Sequence, residues 1–199
     1  MFLRNISNKL YFLLPVLIVG LFVSTSEVSY FKLSFAYINL ALSLLAPISI
    51  LLNVEFPKIK VLSRDKLAEN FKKVTLYSLG LSIGLTGLAI LASPFAFKIL
   101  YGDSYSESIK YIYGLFIYGG LMGLGVALGP MWRAINKVKV SIIINLITLG
   151  LGIPLGLLLI KNMDLWGAII MVTSWLVVSH VVSFIYIINE LRSSKYKNG

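Results

Sequence analysis

Few side chains in this sequence have the types and spacing that reaction chemistry needs. There is one histidine, His180, and there is no cysteine. That excludes thiolate nucleophiles, disulfides, Cys-based metal sites and a His-cluster metal site. Asp103 and Glu107 stand four apart on a polar stretch, but two carboxylates fall short of a hard-cation cage and read as solvated. Paired carboxylates, a Ser/His/Asp set and a Lys–aromatic site, the usual equipment of an enzyme, are all missing. Neither catalysis nor a cofactor is expected.

The remaining polar residues of interest lie inside apolar runs: Asn39, Asn53, Asn145 and His180. In hydrocarbon each must find a partner or line a wet cavity. Asn39 and Asn145 fit hydrogen bonding between helices, or a place on a substrate path. His180, in Ser179-His180-Val181, fits a neutral, hydrogen-bonded packing residue or a proton shuttle. The carboxylates Glu55, Asp103, Glu107, Asp164 and Glu190 fall at run ends or between runs. Proton and sodium relays use intramembrane acids, so this stretch carries no ion-coupling acid of its own.

The elements that position these residues follow from composition. Of 199 residues, 58% are hydrophobic and 13% charged, against about 45–50% and about 25% in soluble domains. Mean hydropathy is +0.88. Such a chain cannot cover a core with polar surface, and a bilayer is the solvent that suits it. The formal charge is +10, from 18 Lys and Arg against 8 Asp and Glu. The cations sit in short stretches between apolar runs with no broad basic face, so they read as topology signals and not as a nucleic-acid surface.

Six apolar spans are legible: Leu10–Thr25, Leu33–Val54, Val74–Ala96, Ile109–Met131, Val138–Ile160 and Leu165–Ile188. The last five exceed the ~20 residues a crossing helix needs. The first is short and holds Pro15. It reads as a marginal span, as the tail of a longer helix, or as a signal peptide with Arg4 and Lys9 as its basic region and Ser24-Thr25-Ser26 as its small-residue segment. The expected fold is all-α, a polytopic membrane protein with one six-helix lobe over residues 1–199.

Between the second and third spans, Pro57–Lys73 carries six cations and two acids. Leu67, Phe71 and Val74 recur at i, i+4, i+7, one face of a helix. That predicts an amphipathic helix on the membrane surface or one extending the third span; a solvated charged loop is the alternative. With the N-terminus inside and six alternating spans, 14 of the 18 cations fall inside while the acids divide evenly. This is the form of the positive-inside rule, and it puts both termini in the cytoplasm.

Glycines recur four apart at Gly80/Gly84, Gly119/Gly123, Gly125/Gly129 and Gly152/Gly156. That spacing suits close helix packing or bending. The fourth span adds Gly114, Gly120 and Pro130 and is expected to bend. Pro47 and Pro154 are further kink positions.

Five short motifs carry a family resemblance. Val28-Ser29-Tyr30-Phe31-Lys32-Leu33-Ser34 resembles the helix entry V-G-Y-[YF]-x-[LV]-[AS] of Wzx-like polysaccharide flippases, within the multidrug/oligosaccharidyl-lipid/polysaccharide (MOP) exporter superfamily. Phe56-Pro57-Lys58-Ile59 resembles that family's F-P-x-[IL] helix exit, and Tyr101-Gly102-Asp103-Ser104-Tyr105 its Y-G-x-x-Y loop. Ala134-Ile135-Asn136-Lys137 resembles its A-x-[GN]-K turn, and Trp166-Gly167-Ala168 the opening of its last helix. They fall in family order over nearly the whole chain. Ser29 departs from the family's glycine.

The resemblance covers the second of the family's two six-helix lobes. It implies transfer of a lipid-linked oligosaccharide across the cytoplasmic membrane for polysaccharide or glycan assembly. It also implies membrane lipid and an N-terminal six-helix lobe as partners, the latter as a separate chain or replaced by a homodimer. A drug or cation antiporter lobe, a non-transporting subunit and a split-gene remnant are the alternatives. On this reading Arg133, beside Trp132 at the cytoplasmic end of the glycine-rich span, meets the carrier's pyrophosphate through its paired donors. Trp132 stacks on a sugar or anchors at the interface. Arg133 is equally a topology-setting cation.

Overall fold

The computed structural model describes residues 14–193. All regular structure among them is helical. Arg4, Lys9 and the first four residues of the short opening span lie outside the described residues. The part of that span within them is a helical stretch, α1, over 14–19, followed by a turn.

Ser24 starts the next helix. Its Oγ accepts from the Glu27 N–H, and the Glu27 carboxylate accepts from the Ser24 N–H at 2.9 Å. This reciprocal capping box satisfies two N-terminal donors at once. α2 (Thr25–Leu42) runs through a 3-10 turn at Ser43–Leu45 into α3 (Ala46–Leu62). Pro47 lies in the first turn of α3, where its missing N–H leaves no helical bond unmade. The expected kink at Pro47 is thus a change of helix type just before it.

Ser63 alone separates α3 from α4 (Arg64–Tyr101). Its backbone is extended (φ −167°, ψ 130°), and its Oγ caps α4 by accepting from the Lys66 N–H at 3.3 Å. The charged stretch Pro57–Lys73 is therefore helix on both sides of one corner. The surface-loop alternative falls, and so does the expected helix exit at Phe56-Pro57, since α3 continues five residues past Pro57. Burial explains both. Phe56, Leu67 and Phe71 are all within 1% of full burial and belong to one apolar cluster with Trp132, Ile187 and Leu191. The α2–α3 arm and α4 run antiparallel: Tyr37 Oη donates to Ala89 O at 2.9 Å, and the Phe56 and Phe71 rings meet edge-on at 6.4 Å.

After Gly102 (φ 65°) the chain forms a broken span. α5 (Ser108–Gly114) and α6 (Phe116–Leu121) meet at Leu115, where the span bends by 44°. A 3-10 turn (Met122–Gly125) leads to α7 (Leu128–Ala134). The expected bending of this glycine-rich span is present and is localised at these breaks. Asn136 (φ 59°) then turns the chain, a left-handed conformation that asparagine tolerates better than most residues.

α8 (Val138–Ser193) is two helices folded back on each other at Asp164 (φ 48°, ψ −130°). Ser179 Oγ donates to Asn145 Oδ1 at 2.6 Å across 34 residues, a separation of ~50 Å along a straight helix. Gly167 sits 2.2 Å, measured from an ideal Cβ, from the Leu159 carbonyl oxygen, so a glycine is required where the two limbs cross.

Among the described residues, three helical segments can cross a membrane by length and composition: Thr25–Leu62, Arg64–Tyr101 and Val138–Arg192. Counting the bent pair makes four. The third is the hairpin just described, and each of its limbs exceeds ~20 residues.

The fold sorts charge by end. Lys60 Nζ donates to Ala134 O at 2.7 Å, and Lys137 meets Glu190 at 3.5 Å. These contacts join the Ser63 corner, the Asn136 turn and the close of α8. Around them lie Lys58, Lys60, Arg64, Lys66, Lys72, Lys73, Arg133, Lys137, Lys139 and Arg192, opposed by Glu55, Asp65, Glu69 and Glu190. At the other end four cations face four acids. Ring pairs pack there as well: Tyr30 on Tyr105 at 6.2 Å and Tyr111 on Trp166 at 5.8 Å.

Candidate functional site

The broken span and the face of α4 behind it form the most polar stretch of the interior. Thr75, Ser78, Ser82, Thr86 and Ser93 recur along that face and are all buried. Ser82 Oγ donates to Gly119 O at 2.6 Å. Gly123 lies 2.2 Å, from an ideal Cβ, from the Ser78 carbonyl oxygen, closer than any side chain permits. Small residues thus bring two backbones together while hydroxyls serve the interface. The Thr86 hydroxyl, fully buried against Gly119, has no hydrogen-bond partner among the described residues.

Of the glycine pairs, Gly119/Gly123 packs on α4, and Gly152/Gly156 on Trp175 and Met171 of the opposite limb of α8. Gly125 faces the His180 ring, while Gly129 meets the side chain of Arg133. Among the described residues, a Cβ at Gly80 or Gly84 would meet nothing within 4 Å beyond its own helix. That pair lies on an open face, contrary to the packing its spacing suggested.

Asn39 and Asn145 both link helices. Asn39 Oδ1 accepts from Tyr118 Oη at 3.2 Å while its Nδ2 donates to Phe35 O at 2.7 Å. Asn145 takes the Ser179 hydroxyl as described. His180 Nδ1 lies 2.8 Å from Leu176 O, one turn back, and the ring fills the space that Gly125 leaves.

Arg133 is exposed in the last turn of α7 at the basic end. Its Nη1 donates to Asn53 Oδ1, and Asn53 Nδ2 donates to Ser49 O at 2.8 Å. Trp132 points the other way. It is 3% exposed, with its ring 5.3 Å from Tyr186. The adjacency of Trp132 and Arg133 in sequence therefore does not place them side by side: one is packed in the interior and the other faces outward.

The five residues do not form one site. Asn145 and His180 are neighbours through Ser179, with Gly125 opposite. Arg133 stands at the basic end with Asn53, and Asn39 stands with Tyr118 in the cluster that includes Phe31 and Phe35. Tyr118, Ser82 and Asn53 are partners that residue type alone did not single out for these roles. Among the described residues no group of three or more His, Cys, Asp or Glu comes together to hold a metal ion. No protein-family model, no curated protein and no solved structure matches this chain.

Proposed function

We propose that this chain is one lobe of a transporter that moves lipid-linked oligosaccharide across the cytoplasmic membrane for polysaccharide or glycan assembly. In this reading it crosses six times, with both termini and the Ser63 corner in the cytoplasm. A second six-helix lobe, or a second copy, supplies the facing wall. The observation that carries the reading is the span from Ser108 to Ala134, broken at Leu115 and at Met122–Gly125 and seated on the hydroxyl-bearing face of α4. Interrupted helices are what alternating-access carriers use to form and reshape a midplane path. The basic end supports an anionic carrier, and Arg133 is the residue assigned to its phosphates, held in place by Asn53.

The test is leaflet transfer of a fluorescent lipid-linked oligosaccharide in proteoliposomes, with and without a companion six-helix chain encoded by a neighbouring reading frame. Transfer is expected with the companion or from a dimer of this chain, and absent from the monomer. Transfer by the purified monomer alone overturns the one-lobe reading. Absence of transfer with the companion overturns the flippase reading.

A further inference from the structure

The two limbs of α8 enclose a groove of about 360 Å³ on the outer side of the bundle. It runs from Ile144 to Leu159 on one limb and from Met171 to Val182 on the other. Gly152 and Gly156 form its floor, closed from below by Trp175 and Met171. About fifteen residues of helix give it a length of ~22 Å. That length accommodates one extended acyl chain.

In a bilayer an apolar groove gains nothing from the hydrophobic effect, since lipid tails are as apolar as the walls. Retention must come from packing and from a polar anchor. The groove has such an anchor at one end only. Lys137 lies seven residues before Ile144, and Asn189 seven residues after Val182, so both continue the groove's stripe toward the basic end. Arg192 follows, exposed. Glu190 meets Lys137 at 3.5 Å, so of Lys137, Glu190 and Arg192 one positive charge is left over, within an end that is basic as a whole. At the opposite end Lys161 is balanced by Asp164.

We propose that the α8 groove holds one acyl chain of an anionic phospholipid from the leaflet at the basic end, with its phosphate between Lys137 and Arg192. The site is independent of the transport reading and makes a bound lipid part of the hairpin's packing.

Trp175 is a built-in probe. In full-length chain carrying Trp132→Phe and Trp166→Phe, its fluorescence is followed as phosphatidylglycerol or phosphatidylcholine with brominated acyl chains is added to mixed micelles. Saturable quenching is expected, with the half-point at a roughly fivefold lower mole fraction for the anionic lipid, the preference one net cation supplies. Lys137→Gln should abolish the preference. Ser174→Phe, which fills the groove from its open side, should abolish saturation. Equal, unsaturable quenching by both lipids, or quenching indifferent to Ser174→Phe, overturns the proposal. If the double Trp→Phe variant misfolds, native mass spectrometry of the unaltered chain takes its place: one retained phosphatidylglycerol supports the site, and none overturns it.

Discussion

Arg133 reaches from the last turn of α7 to α3, where its Nη1 donates to Asn53 Oδ1. Eighty residues of sequence separate the two, and the bond fixes a planar guanidinium at the mouth of the broken span. A lysine carries the charge but not the fork. If the proposed transport function holds, Arg133→Lys is expected to insert normally and to lower leaflet transfer, measured with the companion chain present, by about tenfold, the loss of one charge-assisted bond. Full transfer by Arg133→Lys would show that Arg133 serves topology alone.

Orientation is testable because the chain has no cysteine. Ser104→Cys should react with an impermeant thiol reagent in intact cells. Ser63→Cys should react only after the cells are opened. Labelling of Ser63→Cys from outside would reverse the assignment.

The glycines of the broken span and those of the open face should respond oppositely. Gly123→Ala drives a methyl into the Ser78 carbonyl and should lower stability in detergent by about 1–3 kcal/mol, as overpacking does. Gly80→Ala meets open space and should be neutral or stabilising by up to ~1 kcal/mol. Thermal unfolding of the two variants separates them, and equal effects would contradict the packing of the broken span on α4.

The bond between Ser179 and Asn145 should show as coupling in a double-mutant cycle. Ser179→Ala and Asn145→Leu are expected to interact by ~0.6 kcal/mol, the average for hydrogen bonds between membrane helices. A coupling of zero in the unfolding data would mean that the limbs do not meet there.

Asp164 holds φ 48°, ψ −130°, a conformation costly to a residue with a Cβ. Asp164→Gly should therefore raise the unfolding temperature, by about 1 kcal/mol of stabilisation. A drop would point to a role for the Asp164 side chain in closing the hairpin.

Much of the architecture was legible because hydrophobic periodicity and turn chemistry are local. The Leu67–Phe71 spacing announced a buried helical face. The glycines of the fourth span announced a bend, and Asn136 falls at the turn that Ala134–Lys137 suggested. Partners were not legible. Nothing local tells Asn39 to seek Tyr118 or Arg133 to seek Asn53, since both are settled by how distant helices meet. The charges around Ser63 left a solvated loop open as the alternative, because solvated lysines mask the apolar stripe that makes the segment helical. The neighbourhood of Trp132 suggested an exposed aromatic beside Arg133, but adjacent residues on a helix point about 100° apart, and the tryptophan turned inward.

The corner at Ser63 has a mechanical consequence. α4 is 38 residues long, ~57 Å, nearly twice the ~30 Å of hydrocarbon that a bilayer offers. On the proposed topology the excess length lies at its charged first turns, which are clamped to α3 through Phe56 and Phe71. Any tilt of α4 within the bilayer is carried without loss to Ser63, where it is largest. A spin label or fluorophore at that tip would read the angle of the buried helix from outside, as a pointer on a dial reads the turning of its shaft.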